Sequence, residues 1–291
     1  MGSGVAGYPD EPVDYLAIGH ICQDLTPTGP RPGGTVAFAA LTASALGLRV
    51  GIVTSLPADA VTDSFLAPLE RIALARRPAD AFTTFRNVYD RSGARTQTLA
   101  ARAETLVPDD VPAAWRRPAI VHLAPVADEV VPALLDHVQA GLVCITPQGW
   151  MRAWDEAGQV GFRPWPDAGR ALQAADAVVL GIEDVAGDEA LVELYAAQAR
   201  LLVVTRGAAG CTLHWRGRAH PIPAPRVNPV VDPTGAGDIF AAAFFCRLRQ
   251  TPDDPLGAAR FATQLASASV ARAGLESIPT PEEIEEALRK V

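Results

Sequence analysis

Between Ala119 and Thr205 four short runs are apolar at consecutive rather than alternate positions: Ala119-Ile120-Val121-His122-Leu123, Leu142-Val143-Cys144-Ile145, Ala177-Val178-Val179-Leu180 and Leu201-Leu202-Val203-Val204. A strand apolar on both faces must be covered on both, which is the habit of parallel sheets. Helical patterns at Glu129 to Ala140, Asp167 to Ala174 and Asp188 to Gln198 separate these runs. Strand, helix, strand in repetition predicts a mostly parallel sheet between two helical layers. The same grammar holds upstream, with strands at Asp14 to Gly19 and Arg49 to Ser55. Helices are expected at Thr35 to Leu46, closed by Gly47, and at Thr62 to Ala73. The expected fold is therefore three-layer α/β/α. At 291 residues one large α/β domain or two small ones would be possible. We read residues 13–291 as one domain behind a Gly- and Pro-rich flexible lead-in, 1–12.

Residues 82–100 break the pattern. Thr83 to Tyr89 and Ala94 to Ala100 alternate in polarity around Asp90-Arg91-Ser92-Gly93, which predicts a hairpin outside the main sheet, a small β lid. A second short hairpin is expected at Cys211 to His220. Three helices close the chain, Gly235 to Leu248, Leu256 to Ala273 and Pro281 to Val291. Trp150, Trp154 and Trp165 fall in one connection, read as packing, with one ring stacked on a substrate as the alternative.

Composition excludes several classes. A formal net charge of -8 with no basic cluster argues against a nucleic-acid surface. No apolar run approaches the ~18 residues of a membrane span, and no signal pattern opens the chain. Cys22, Cys144, Cys211 and Cys246 are far apart in apolar surroundings, as expected of buried free thiols in a reducing cytoplasm. The five histidines show no metal-binding spacing, and His122, inside an apolar run, reads as a core histidine.

Chemistry concentrates in Val231-Asp232-Pro233-Thr234-Gly235-Ala236-Gly237-Asp238, which runs directly into a helical apolar stretch. A helix start leaves backbone N–H groups free and carries partial positive charge, and glycines let an anion approach it. Asp238 stands where it could take a proton from a group held against that anion hole formed by Gly235, Ala236 and Gly237. Positioning and electrostatics of this kind suit phosphoryl transfer. Taken alone, Thr234 could equally be an N-cap and Asp238 a first-turn acid. Gly33-Gly34, before the first helix, is either a turn or a hinge whose bare backbone touches a polyol. Thr205-Arg206-Gly207-Ala208-Ala209-Gly210 by itself is a plain turn, with Arg206 covering the surface.

The eight-residue string at 231–238 closely resembles the second signature of the ribokinase (PfkB) family of carbohydrate kinases. The likeness runs from about Asp14 to the end of the chain. It implies an ATP-dependent kinase acting on a hydroxyl of a sugar or inositol, with Asp238 as general base. Asp24, in the loop after the first strand, and Gly33-Gly34 match the family's acceptor site, which the amides of Asn87 and Gln148 would extend. Thr205, Gly207 and Gly210 match the turn that lines the nucleotide phosphates, with Ser267 facing the adenine pocket or the core. The family's Asn-x-x-Glu metal motif reads Gly181-Ile182-Glu183-Asp184 here, leaving Asp184 and Glu183 for magnesium. Asp232, Gly274 and Ser277 match a potassium site. Only eight residues separate Asp24 from Gly33, where the family inserts two further lid strands. That implies a lid reduced to the 82–100 hairpin, a doubtful lid-mediated dimer, and a monomer or a homodimer of another kind. Gly19-His20-Ile21-Cys22-Gln23-Asp24, Thr83-Thr84-Phe85 and Pro147-Gln148-Gly149-Trp150 look like the plant-type inositol kinase branch. A nucleoside or vitamin-precursor kinase of the same fold is the alternative among kinases, and a catalytically silent ligand-binding protein that keeps the fold is the alternative from another class.

Overall fold

The computed structural model describes residues 10–26, 29–89 and 95–291. The chain opens with β1 (Tyr15–Ile18), turns out into the hairpin β2 (Cys22–Thr26) and β3 (Gly29–Gly33), and returns through helix α1 (Thr35–Ala45) to β4 (Val50–Leu56). Helix α2 (Ala60–Phe65) leads to β5 (Ala73–Pro78), and the chain leaves the body again for β6 (Thr83–Tyr89) and β7 (Arg95–Ala101). Then come β8 (Ile120–Leu123), a single helical turn α3 (Leu134–His137), β9 (Val143–Ile145) and a small hairpin, β10 (Arg152–Trp154) with β11 (Val160–Phe162). Helix α4 (Ala168–Ala174), β12 (Ala177–Gly181), α5 (Glu189–Ala196) and β13 (Leu201–Thr205) restore the alternation. The antiparallel strands β14 (Cys211–Trp215) and β15 (Arg218–Ile222) precede helices α6 (Ala236–Gln250), α7 (Pro255–Ser269) and α8 (Pro281–Arg289).

Nine strands form one sheet in the order β15-β14-β13-β12-β9-β8-β1-β4-β5. All neighbours are parallel except β13 with β14 and β14 with β15. The period of two distributes each strand between two cores. Tyr15 and Ala17 join α1, α6 and α7 on one face; Leu16 and Ile18 join Trp115, Leu172, Val192 and Tyr195 on the other. That double burial is why the strands lack polar alternation. His122, fully buried on β8, meets the Tyr15 hydroxyl at 2.8 Å through Nδ1 and the Thr146 hydroxyl at 2.9 Å through Nε2. Burial pushes its ring down to about 3, so it is a neutral core residue, as its sequence context suggests. Trp150 and Trp165 are buried and stacked on each other, while Trp154 is exposed. Arg206 pairs with Glu189 at the surface.

Several expectations need correction. The helix expected at Thr62 to Ala73 ends at Phe65; a 3-10 turn with Pro68 follows, and Ala73 already belongs to the edge strand β5. The helix expected from Glu129 to Ala140 shrinks to α3, because Pro132 stands in its path and Glu129 spends its carboxylate on backbone N–H groups. The lid is larger than the single hairpin expected. It is a four-stranded sheet in the order β3-β2-β6-β7, so the eight residues after Asp24 do hold a strand pair, and Asp24 itself lies on β2 rather than in a loop. The turn at Asp90 to Gly93 and residues 1–9 of the expected lead-in lie outside the described residues. Among the described residues no helix is long and apolar enough to cross a membrane.

Candidate active site

The site forms where the start of α6 meets the lid. Gly235, the N-cap, has φ 82°, in the left-handed region, and a Cβ there would run into the Phe38 ring on α1. Only glycine satisfies both demands. Gly237 is exposed, with nothing within 4 Å of where a Cβ would stand, so the backbone of this first turn borders open space. Asp238 follows, half-buried, and accepts a hydrogen bond from the side chain of Thr35, the first residue of α1. The carboxyl is pushed up to about 6, chiefly by burial. The Thr35 bond and the charge of Arg152 oppose that rise, and the charges of Asp184 and Asp24 add to it.

Those neighbours come from separate elements. Asp24 is on β2, and its carboxylate lies against Gly33 across the hairpin, where a Cβ would force the Asp24 side chain to move. Gly34, φ 86°, packs against the backbone of His20 and opens α1. Asp184 sits in the 3-10 turn after β12, accepting from Gly181 N at 2.8 Å and from Gln148 Nε2 at 2.9 Å. Arg152, at the start of β10, donates from Nη1 to the Val126 carbonyl at 3.0 Å and lies over the Phe85 ring of the lid, 5.5 Å from its centre. Sequence reasoning brought forward neither Arg152 nor Thr35. Thr35 had a signal, its place directly after Gly34; Arg152 had none.

The other expected residues fall into three places. Asn87 is on the lid strand β6, where its side-chain oxygen accepts from Gln97 Nε2 at 2.9 Å. Thr205 ends β13 in register with Gly181, and the 3-10 turn Gly207–Ala209 follows. Gly207 and Gly210 both have positive φ, at 55° and 94°. Ser267, half-buried, stands one turn along α7 from Thr263, whose hydroxyl lies 3.7 Å from Cys211 Sγ. Asp232 accepts from Thr234 N at 2.9 Å and Gly274 N at 3.4 Å, and Ser277 donates to the Gly274 carbonyl at 2.7 Å, so these two loops meet.

Among the described residues no group of three or more His, Cys, Asp or Glu side chains could hold a metal. Asp184 nevertheless fits a hydrated magnesium ion. The Gly181 and Gln148 partners are neutral N–H donors, which leave a carboxylate with spare lone pairs, and magnesium is held mostly through water and substrate phosphate. Glu183 is exposed on the same turn.

A parallel sheet flanked by helices and capped by a β lid is the ribokinase fold. A pyrophosphate-dependent kinase of the ribokinase family, solved with a pyrophosphate analog and myo-inositol, superposes with a TM-score of 0.78 at 18% identity, covering 95% of this chain and 100% of that one. Residues 175–283 match the model of the pfkB family carbohydrate kinases. Those residues are a pfkB family carbohydrate kinase domain. The Inositol 3-kinase of Oryza sativa subsp. japonica is 30% identical over 267 residues, 84% of this chain; the chain spans 64% of that protein's length. The Cytidine kinase of Thermococcus kodakarensis is 27% identical over 252 residues, 80% of this chain and 87% of that protein.

Proposed function

We propose that this chain transfers the terminal phosphoryl group of ATP to a hydroxyl of a small polyol, a sugar or an inositol. The observation that carries the reading is the placement of Asp238 in the first turn of α6 behind Gly235, bonded to Thr35 and within electrostatic reach of Asp24 on the lid, where burial pushes its carboxyl up to about 6. A carboxyl tuned into that range is ionised at neutral pH yet basic enough to accept a proton. Asp24 accepts hydrogen bonds from acceptor hydroxyls, assisted by the bare backbone of Gly33 and Gly34. The acceptor hydroxyl loses its proton to Asp238 as its oxygen attacks phosphorus. The amides of Gly235, Ala236 and Gly237 stabilise the charge on the transferring group. Thr205, Gly207 and Gly210 line the nucleotide side with Ser267. Asp184, with Glu183 beyond it, would hold magnesium, which supplies charge neutralisation between the phosphates. Asp232, Gly274 and Ser277 would take a monovalent cation beside the anion hole. The lid keeps water from competing with the acceptor.

The likeness to a cytidine kinase supports a second reading, a nucleoside as acceptor. One experiment separates the two. Consumption of ATP, with pyrophosphate as the other donor, is followed over inositols, sugars and nucleosides with magnesium, with and without potassium. Turnover confined to nucleosides overturns the polyol reading. Binding of an acceptor without turnover under any condition overturns the kinase reading itself.

A further inference from the structure

The chain crosses between the main sheet and the lid four times, and one buried histidine touches three of the crossings. His20 lies on the first, between β1 and β2, and is fully buried. Its Nδ1 is 2.6 Å from the hydroxyl of Thr83, where β6 begins, and its Nε2 is 2.9 Å from the carbonyl of Glu104, just after β7. A carbonyl can only accept, so Nε2 carries the proton and the Thr83 hydroxyl donates to Nδ1. Thr83 Oγ1 in turn accepts from Ala103 N at 2.9 Å. Burial lowers the pKa of His20 and keeps the ring in the neutral form that this pattern requires. On the remaining crossing, the second along the chain, between β3 and α1, Gly34 stands against the His20 backbone carbonyl, which the ring does not reach.

Behind the histidine is a second buried group with no task in the chemistry. The Glu129 carboxylate, fully buried, accepts from His20 N at 3.0 Å, from Val126 N at 3.0 Å and from Ala127 N at 2.6 Å. The peptide unit it grips also faces the site, because the Val126 carbonyl accepts from Arg152. The Ala127 carbonyl accepts from Arg102 Nε at 2.7 Å, which ties the same loop to the strand leaving the lid.

We propose that His20, Thr83 and Glu129 are positioning residues that set the lid on the body, fixing Asp24 through β2 and Arg152 through Val126 without touching a substrate. A merely structural core group would support the whole molecule alike. This network instead ends on the lid crossings and on the carbonyl that holds Arg152, so its loss should be felt there first.

The test uses the full chain with Thr83→Val, which removes one hydroxyl, and Glu129→Gln, which replaces one accepting oxygen by a donor facing backbone N–H groups. Thr83→Val carries the test if the buried amide of Glu129→Gln prevents folding. Hydrogen exchange is read on the amides of β2 and β6 and compared with those of β12 and β13. We expect lid exchange to rise roughly tenfold or more, since Thr83→Val removes both bonds made by its hydroxyl, with the body unchanged. Kinetically, the acceptor KM rises by a similar factor, donor hydrolysis without acceptor gains on transfer, and nucleotide affinity changes less than twofold. Exchange that is unaltered, or that rises alike in lid and body, overturns the proposal. The kinetic half rests on the kinase reading; the exchange half does not, so a chain without turnover still decides where these residues act.

Discussion

Asp238 is pulled in two directions. Burial and the charges of Asp184 and Asp24 favour its protonated form, while the Thr35 hydroxyl and Arg152 favour the carboxylate. Replacing it by Asn should lower turnover on the best acceptor by roughly 10²- to 10⁴-fold, the scale of general base catalysis, and leave ATP affinity within about twofold. A variant that keeps wild-type turnover in steady-state assays would remove Asp238 from the chemistry. Its raised pKa also fixes the sign of a pH effect. The folded protein keeps a proton that the unfolded chain releases, so this group's contribution to stability is complete below about 4 and is lost as pH rises to about 6. The melting-temperature gap between D238N and wild type should therefore shift in favour of the variant across that window and stay level above it. In the free enzyme kcat/KM should rise with pH through about 6. Arg152→Met, which deletes the opposing charge, should move that limb to higher pH, whereas Arg152→Lys leaves it near the wild-type position; equal limbs in all three proteins would refute the coupling. Asp238 stood out in the sequence because it follows two glycines at a helix start, whereas Asp24 and Asp184 stood out only through their likeness to the family's motifs. Arg152 did not, since its reach to Asp238 is made by the fold and its string carries no periodicity or turn signal.

At the scale of the element, the start of α6 is defined by what cannot be there. Gly235→Ala forces a side chain into the left-handed region and against Phe38, and should cost about 2–4 kcal/mol, measured by denaturant unfolding. A loss below 0.5 kcal/mol would mean that α1 and α6 yield easily there. The strands of the main sheet were readable because burial on both faces leaves an unbroken apolar run. The errors have equally physical origins. Phe65, Leu66, Leu69 and Ile72 have helical spacing, but that spacing is shared among a helix, a 3-10 turn with Pro68 and the approach to β5. Around Glu129 the apolar spacing was real, yet its carboxylate binds loop amides rather than capping a helix. The hairpin of β2 and β3 was hidden because prolines rarely announce a strand.

For the molecule as a whole, the two helical layers fix the edge of the sheet on which Asp184, Thr205 and Asp238 converge, and the lid brings Asp24 and Phe85 over it. The lid's outer strand has a further consequence. β3 pairs with β2 so that Pro30 and Pro32 face Leu25 and Gln23, every second position. Prolines cannot donate to β2, so these are the open pairs of the ladder, whose backbone groups point away from it. At these two positions the outer strand of the lid, part of which lies near the turn Gly274–Ser277, offers carbonyls but no N–H groups. A second copy seeking to zip its own rim against this one would find acceptors and too few donors. Self-recognition by strand addition is thus discouraged at the place where a lid is most open to it. Restoring the donors with Pro30→Val and Pro32→Val should shift sedimentation toward dimers as concentration rises, and a profile identical to that of the native rim would refute this role for the prolines.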